Sequence, residues 1–106
     1  MENKIYLGNA FSGQMIVGNA IIKKTRVEVS EVRNADWVSC IGHPDTATVV
    51  SNILEREVAC NRVSIALNKG DILYVAQVMG GRLPEGATKL PEGMEIVFDK
   101  YEIIEM

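Results

Sequence analysis

Residues Trp37 to Leu54 read WVSCIGHPDTATVVSNIL. The stretch holds both halves of an α/β unit. Trp37 to Ile41 is a short apolar run that predicts a strand leading into Gly42. From Pro44 the pattern changes. Ala47, Val50 and Leu54 fall on one face at helical spacing, with Val49 and Ile53 beside them. Proline suits the first helical position, where its missing N–H costs nothing. A helix is therefore predicted over Pro44–Leu54, with Glu55, Arg56 and Glu57 as its solvated end. Between strand and helix stands His43, the only histidine of the chain. It is either a working group or a helix cap.

Further elements are predicted on either side. Lys4–Ala10 (KIYLGNA) reads as a first strand, followed by a glycine-containing loop or short helical turn, FSGQMIVGNA. Arg26–Val32 (RVEVSEV) alternates polar and apolar residues, the period of a strand with one wet face, and a helical turn from Ser30 competes with it. Arg62–Leu67 and Ile72–Val78 read as two strands of a hairpin across the turn-rich Asn68-Lys69-Gly70-Asp71. Glu95–Ile104 is the last strand. Leu83-Pro84-Glu85-Gly86 recurs as Leu90-Pro91-Glu92-Gly93, and both copies read as turn-rich connectors.

With 106 residues and no linker or low-complexity segment, one domain spanning 1–106 is expected. The apolar fraction of 47% against 24% charged suits a globular chain with a core. MENKIYLGNAF lacks the layout of a signal peptide, and no apolar run reaches membrane-spanning length. The expected location is the cytoplasm, with no membrane partner. A net charge of −3 argues against duplex DNA, which calls for a broad basic surface. A few arginines focused in a cleft can still hold a small anion. Cys40 and Cys60 follow no metal or redox spacing, and one histidine is too few for an ordinary zinc site. No acidic cluster suggests magnesium, so no metal or cofactor is expected.

Three features can carry chemistry. In Gly42-His43-Pro44, a glycine precedes a helix start, where backbone N–H groups and the helix dipole favour phosphate. A histidine there can pass a proton to a leaving group. The second is Gln77 with Arg82-Leu83-Pro84-Glu85. Arginine offers a planar fork for phosphate, and Glu85 can orient it or act as a base. The plainer alternative is a solvated ion pair of little energetic weight. The third is Gly8-Asn9-Ala10-Phe11-Ser12-Gly13-Gln14, whose amides and hydroxyl can grip ribose, base or phosphate, or simply form a polar turn. Its glycine spacing is that of a phosphate loop, but Gln14 and Met15 stand where the lysine and hydroxyl would follow, which argues against a nucleotide triphosphatase.

The order YLGNAFS, IGHPDTA, NRVSIAL, YVAQV and RLPEG resembles the anti-CRISPR ring nucleases, small proteins of archaeal viruses and mobile elements. The resemblance runs from about Lys4 to the last strand. It implies an α/β fold, a mixed β-sheet flanked by helices, and a homodimer that holds cyclic tetra-adenylate across its twofold axis. By position, His43 matches the catalytic histidine, and Glu85 and Arg82 its acidic and basic partners. Asn9, Ser12, Gln14, Arg62 and Gln77 match ligand-gripping positions. Gln14 stands where an asparagine is more familiar, and a second LPEG turn replaces the acidic helix that members tend to carry after Glu85. The implied activity is metal-independent cleavage of the ring to linear adenylates with 2′,3′-cyclic phosphate ends, which switches off type III CRISPR signalling in the host cytoplasm. A module that binds a cyclic nucleotide or a protein without cutting is the alternative.

Overall fold

A computed structural model describes residues 3–106. Among these residues the strands are β1 (Ile5–Gly8), β2 (Ile21–Val27), β3 (Val38–Ser39), β4 (Ile72–Met79) and β5 (Glu95–Glu105), and the α-helices are α1 (Val29–Asn34) and α2 (Pro44–Leu54). A single 3₁₀ turn covers Gly13–Met15. The strands form one sheet of five in the order β2-β5-β4-β1-β3. β1 runs parallel to both β3 and β4, while β5 is antiparallel to β4 and β2. This is a mixed α/β sheet, as expected.

Strand alternation divides the core into two layers. Tyr74 and Ala76 of β4 face both helices, together with Leu7, Phe98 and Trp37, and α2 adds Ala47, Val50 and Leu54. Leu73 and Val75 face the other way, onto Leu67 and Ile103. Loop segments, not helices, cover that second face. There Phe11 stacks on Tyr101 with ring centroids 4.6 Å apart.

The end of α2 differs from the solvated end expected. Glu55 takes a left-handed conformation (φ 54°) and its N–H bonds the Ser51 carbonyl. Arg56 then turns inward and stacks over Trp37, 3.9 Å from the ring centroid. Its guanidinium donates to the carbonyls of Arg33 (3.0 Å) and Ala35 (2.6 Å), tying the ends of the two helices together.

Two strand expectations are overturned. Arg26–Val32 is not one strand: β2 ends at Val27 and α1 begins at Val29, so the helical turn is correct. Val29 and Val32 lie three apart, a spacing that also fits one helix face, and both pack on the helix-side core. The hairpin is also absent. Asn68–Asp71 does turn, with the Asp71 N–H on the Asn68 carbonyl at 2.9 Å. Arg62–Leu67 before it is irregular, because β1 and β5 already occupy both edges of β4. Buried Asp71 instead links the turn to the sheet, accepting the Asn68 N–H at 2.8 Å and the Lys4 N–H at 2.9 Å.

Tyr74 gives the fold a pH signature. Burial, then its bond to Glu31, pushes its hydroxyl from 10.0 up to about 12. The hydroxyl donates to Glu31 Oε2 at 2.8 Å, and Lys100 pairs with the same carboxylate at 3.4 Å. Between the two values the unfolded chain has lost this proton and the fold keeps it, so stability falls as pH rises. Tyr74→Phe should lower stability at neutral pH by roughly 1–2 kcal/mol. It should also flatten the alkaline decline, as read from urea midpoints across the alkaline range.

Candidate functional site

β1, β3 and β4 all end on the same side of the sheet, and ligands of parallel α/β sheets bind beyond such carboxyl ends. Asn9 follows β1 directly. Cys40 to His43 follow β3, and Gly80 to Arg82 follow β4. Most of the residues singled out in the sequence therefore gather at one end of the molecule.

His43 stands between two clefts. The first, of about 400 Å³, brings His43 together with Asn9, Gly42, Cys40 and Arg62. The second, of about 480 Å³, is lined by His43, Thr46, Val78, Gly81, Arg82 and Leu83. A third holds Ser12, Gln14 and Ser64 and shares the apolar wall of Met15, Val63 and Ile65 with the first. Asn9, Ser12, Gln14, His43, Arg62 and Arg82 thus line one connected set of clefts. Gln77 is exposed on β4 and Glu85 is exposed on the loop after it, and neither lines these clefts.

The capping reading of His43 describes real geometry. Its backbone is extended, and its Nδ1 accepts the Thr46 N–H at 3.4 Å, so it caps α2. An acceptor at Nδ1 leaves the neutral ring's proton on Nε2. The Thr46 hydroxyl lies 3.5 Å from the same Nδ1 and can accept once the ring is doubly protonated. His43 meanwhile lines both clefts. Thr46 was missed in the sequence, although the third residue after a cap is where the capping bond lands.

Gly42 makes room for Arg62. A Cβ at Gly42 would lie 3.0 Å from Arg62 Cγ and 3.3 Å from its Cβ, so the arginine stem packs directly on this turn. The segment carrying Arg62 is pinned beside β3. The Asn61 N–H donates to the Ile41 carbonyl at 2.8 Å, and its side chain donates to the Ser39 carbonyl at 2.9 Å. Cys40 lines the first cleft, but burial pushes its thiol up, which disfavours the thiolate a nucleophile needs. The apolar wall was also missed, because Val63 and Ile65 alternate with polar residues and read as a strand. Among the described residues no three His, Cys, Asp or Glu side chains gather as a metal site, and no helix is long and apolar enough to cross a membrane.

The arrangement joins a proton carrier with two guanidinium groups around clefts of ligand size. It suits a phosphodiester, with arginines on the phosphoryl oxygens and an imidazole at the leaving group.

Comparison with known proteins agrees with a viral kinship. The chain is 36% identical over 55 residues to "Uncharacterized protein 26" of Sulfolobus islandicus filamentous virus (isolate Iceland/Hveragerdi), a match that covers 52% of this chain and 46% of that protein. The match thus spans a little under half of the relative's length. The structure of B116 of Sulfolobus turreted icosahedral virus shares the fold, with a TM-score of 0.77 at 21% identity over 94% of this chain and 99% of that one. A family model described as STIV B116-like matches residues 5–103. Matched over nearly its whole length, the chain belongs to the STIV B116-like family, which has members among archaeal viruses.

Proposed function

We propose that this protein is a metal-independent ring nuclease that binds cyclic tetra-adenylate and cuts it to linear adenylates with 2′,3′-cyclic phosphate ends, switching off type III CRISPR signalling. The observation that carries this reading is the meeting of His43 with Arg62 in one cleft and Arg82 in the next. The identity of the ring comes from the resemblance of the motifs around these residues, and kinship with archaeal-virus proteins supports a viral setting.

The chemistry draws its nucleophile from the substrate. A ribose 2′-hydroxyl held in line with the 5′ leaving oxygen gives up its proton to solvent and attacks the adjacent phosphorus, so that the P–O5′ bond breaks as P–O2′ forms, and positioning supplies much of the acceleration. Arg82 and Arg62 stabilise charge on the phosphoryl oxygens. His43 donates a proton through Nε2 to the leaving oxygen. Asn9, Ser12 and Gln14 hold the neighbouring nucleotide, with Met15 and Val63 as an apolar surface for a base. Gln77 and Glu85 reach the ring only if it extends beyond the clefts of one copy. Clefts of about 400 and 480 Å³ each suit one drug-sized ligand, and a four-nucleotide ring exceeds that. In keeping with the family resemblance, the ring lies across two copies related by a twofold axis, each presenting the same patch.

His43→Asn separates the capping role from the chemical one, since asparagine caps helices well and carries no titratable proton. The variant should keep its melting temperature and its affinity for cyclic tetra-adenylate. Single-turnover cleavage should fall by roughly 10²- to 10⁴-fold. Wild-type cleavage should persist in excess EDTA. A variant that cuts at full speed would return His43 to the cap alone. A wild type that binds the ring and never cuts it would make the protein a binding module.

Arg82→Ala should weaken both ring binding and cleavage, and Arg82→Lys should restore little, because the planar fork is lost. Glu85→Ala should slow cleavage, while Glu92→Ala in the second LPEG copy should leave it intact. Equal damage from the two glutamate variants, measured side by side, would remove the first copy from the site.

The shared-site arrangement expects a dimer before ligand arrives. Light scattering at micromolar concentration should give twice the chain mass. A monomer both with and without the ring would rule the arrangement out.

A further inference from the structure

The connection between β4 and β5, residues 80–94, is built from two copies of one turn, and of the two copies it is the first that bonds α2. At its neck, Gly80 has φ +95° and an added Cβ would come within 2.7 Å of the Gly93 carbonyl oxygen, so the loop leaves and returns through a pinch that glycine permits. In the first copy the Ala87 N–H bonds the Pro84 carbonyl, and in the second the Met94 N–H bonds the Pro91 carbonyl, both at 3.1 Å. Gly86 (φ +78°) and Gly93 (φ +86°) occupy the third position of these turns, the mark of type II geometry.

The two copies differ in what holds them. A type II turn does not use the N–H of its third residue internally. In the first copy that N–H, from Gly86, donates to Asp45 Oδ2 at 2.9 Å. Among the described residues the second copy has no such bond to α2. Asp45 lies in the first turn of α2, two residues beyond His43 and next to Thr46, which holds the His43 ring. Asn52, further along the helix, donates its side-chain amide to the Thr88 carbonyl. One helix thus grips the loop at two points, and the nearer grip fixes the plane of the Glu85–Gly86 peptide.

We propose that Asp45 is a positioning residue that, by holding the Glu85–Gly86 peptide through Gly86 N–H, fixes the Pro84–Ala87 turn, and with it Arg82 two residues before, against the helix end that carries His43. The inference rests on the ring-nuclease reading. Asp45 touches neither ring nor phosphate. It sets the distance between the loop segment that carries Arg82 and the imidazole, and a misplacement of about 1 Å between such groups can cost about a hundredfold in rate.

The test compares Asp45→Ala, which removes the acceptor, with Asp45→Asn, which keeps a carbonyl oxygen in its place. Amide exchange at Gly86 in the free protein reads the tie directly. Single-turnover cleavage of cyclic tetra-adenylate, ring affinity and the melting temperature are measured alongside. Asp45→Ala should lose Gly86 protection, keep the wild-type melting temperature and ring affinity, and cut roughly 10- to 100-fold more slowly. Asp45→Asn should regain both the protection and most of the rate. Full-speed cleavage by Asp45→Ala, or equal slowing in the two variants, overturns the proposal. So does a Gly86 amide that exchanges alike in the wild type and in Asp45→Ala. A wild type that leaves the ring intact overturns the proposed function and the catalytic claim with it, while exchange at Gly86 still decides whether Asp45 holds the turn.

Discussion

β1 is hydrogen-bonded along both edges, and both neighbours run parallel to it. Everything at the candidate site depends on that constraint. Parallel neighbours cannot be joined by a tight turn, so the chain must cross over the sheet between them. The crossover from β3 toward β4 carries α2 with His43 at its start, and then the irregular segment with Arg62. The same constraint makes three strands end together, which sets Asn9, His43 and Arg82 side by side although they are far apart in the chain. Had β4 been hairpin-paired with the segment before it, Arg62 would have been drawn into the sheet and away from His43.

The elements that were legible in the sequence are those with a single periodic signal. α2 has an apolar face, a proline at its first position and a histidine before it, and its bounds are as read. β4 and β5 are long apolar-rich runs. The errors fall where local pattern and tertiary pairing compete. RVEVSEV fits a period of two as well as a helical face, and the choice went to helix because Val32 finds a fully buried place beneath it. The hairpin failed for a reason no local pattern contains: the turn chemistry of Asn68–Asp71 was right, but the edge that the earlier segment would have paired with was already taken. β2 was read too late in the chain because four polar or basic residues in a row, Lys23 to Arg26, leave its sequence, IIKKTRV, without an alternating pattern.

The candidate site was legible in residue type more than in place. Polar and basic residues at strand ends marked Asn9, Ser12, Gln14, His43 and Arg82, since loops after parallel strands are where such residues meet, while Arg62 was marked by the family resemblance alone. Motif order could not say that Gln77 and Glu85 stand outside those clefts, because that depends on which way an exposed side chain leaves the sheet or loop. Nor could it say that His43 is a cap and an accessible ring at once. The capping bond uses Nδ1 alone, and the same residue lines two clefts.

The pairing of β2 has a consequence for how the molecule comes into being. β2 is hydrogen-bonded to β5 alone, the last strand of the sheet, and Ile21–Val27 meets partners at Phe98 to Glu105. During synthesis the basic stretch of β2 therefore waits, unpaired, while most of the chain is added. β1 waits for a shorter time, since β3 arrives soon after it. Long-range pairing of this kind slows folding and leaves strand edges open in the meantime. The charges of Lys23, Lys24 and Arg26 lie on the strand that waits longest, and they give its open edge a repulsion toward other nascent copies until β5 emerges and Asp99 takes the Arg26 guanidinium at 2.7 Å.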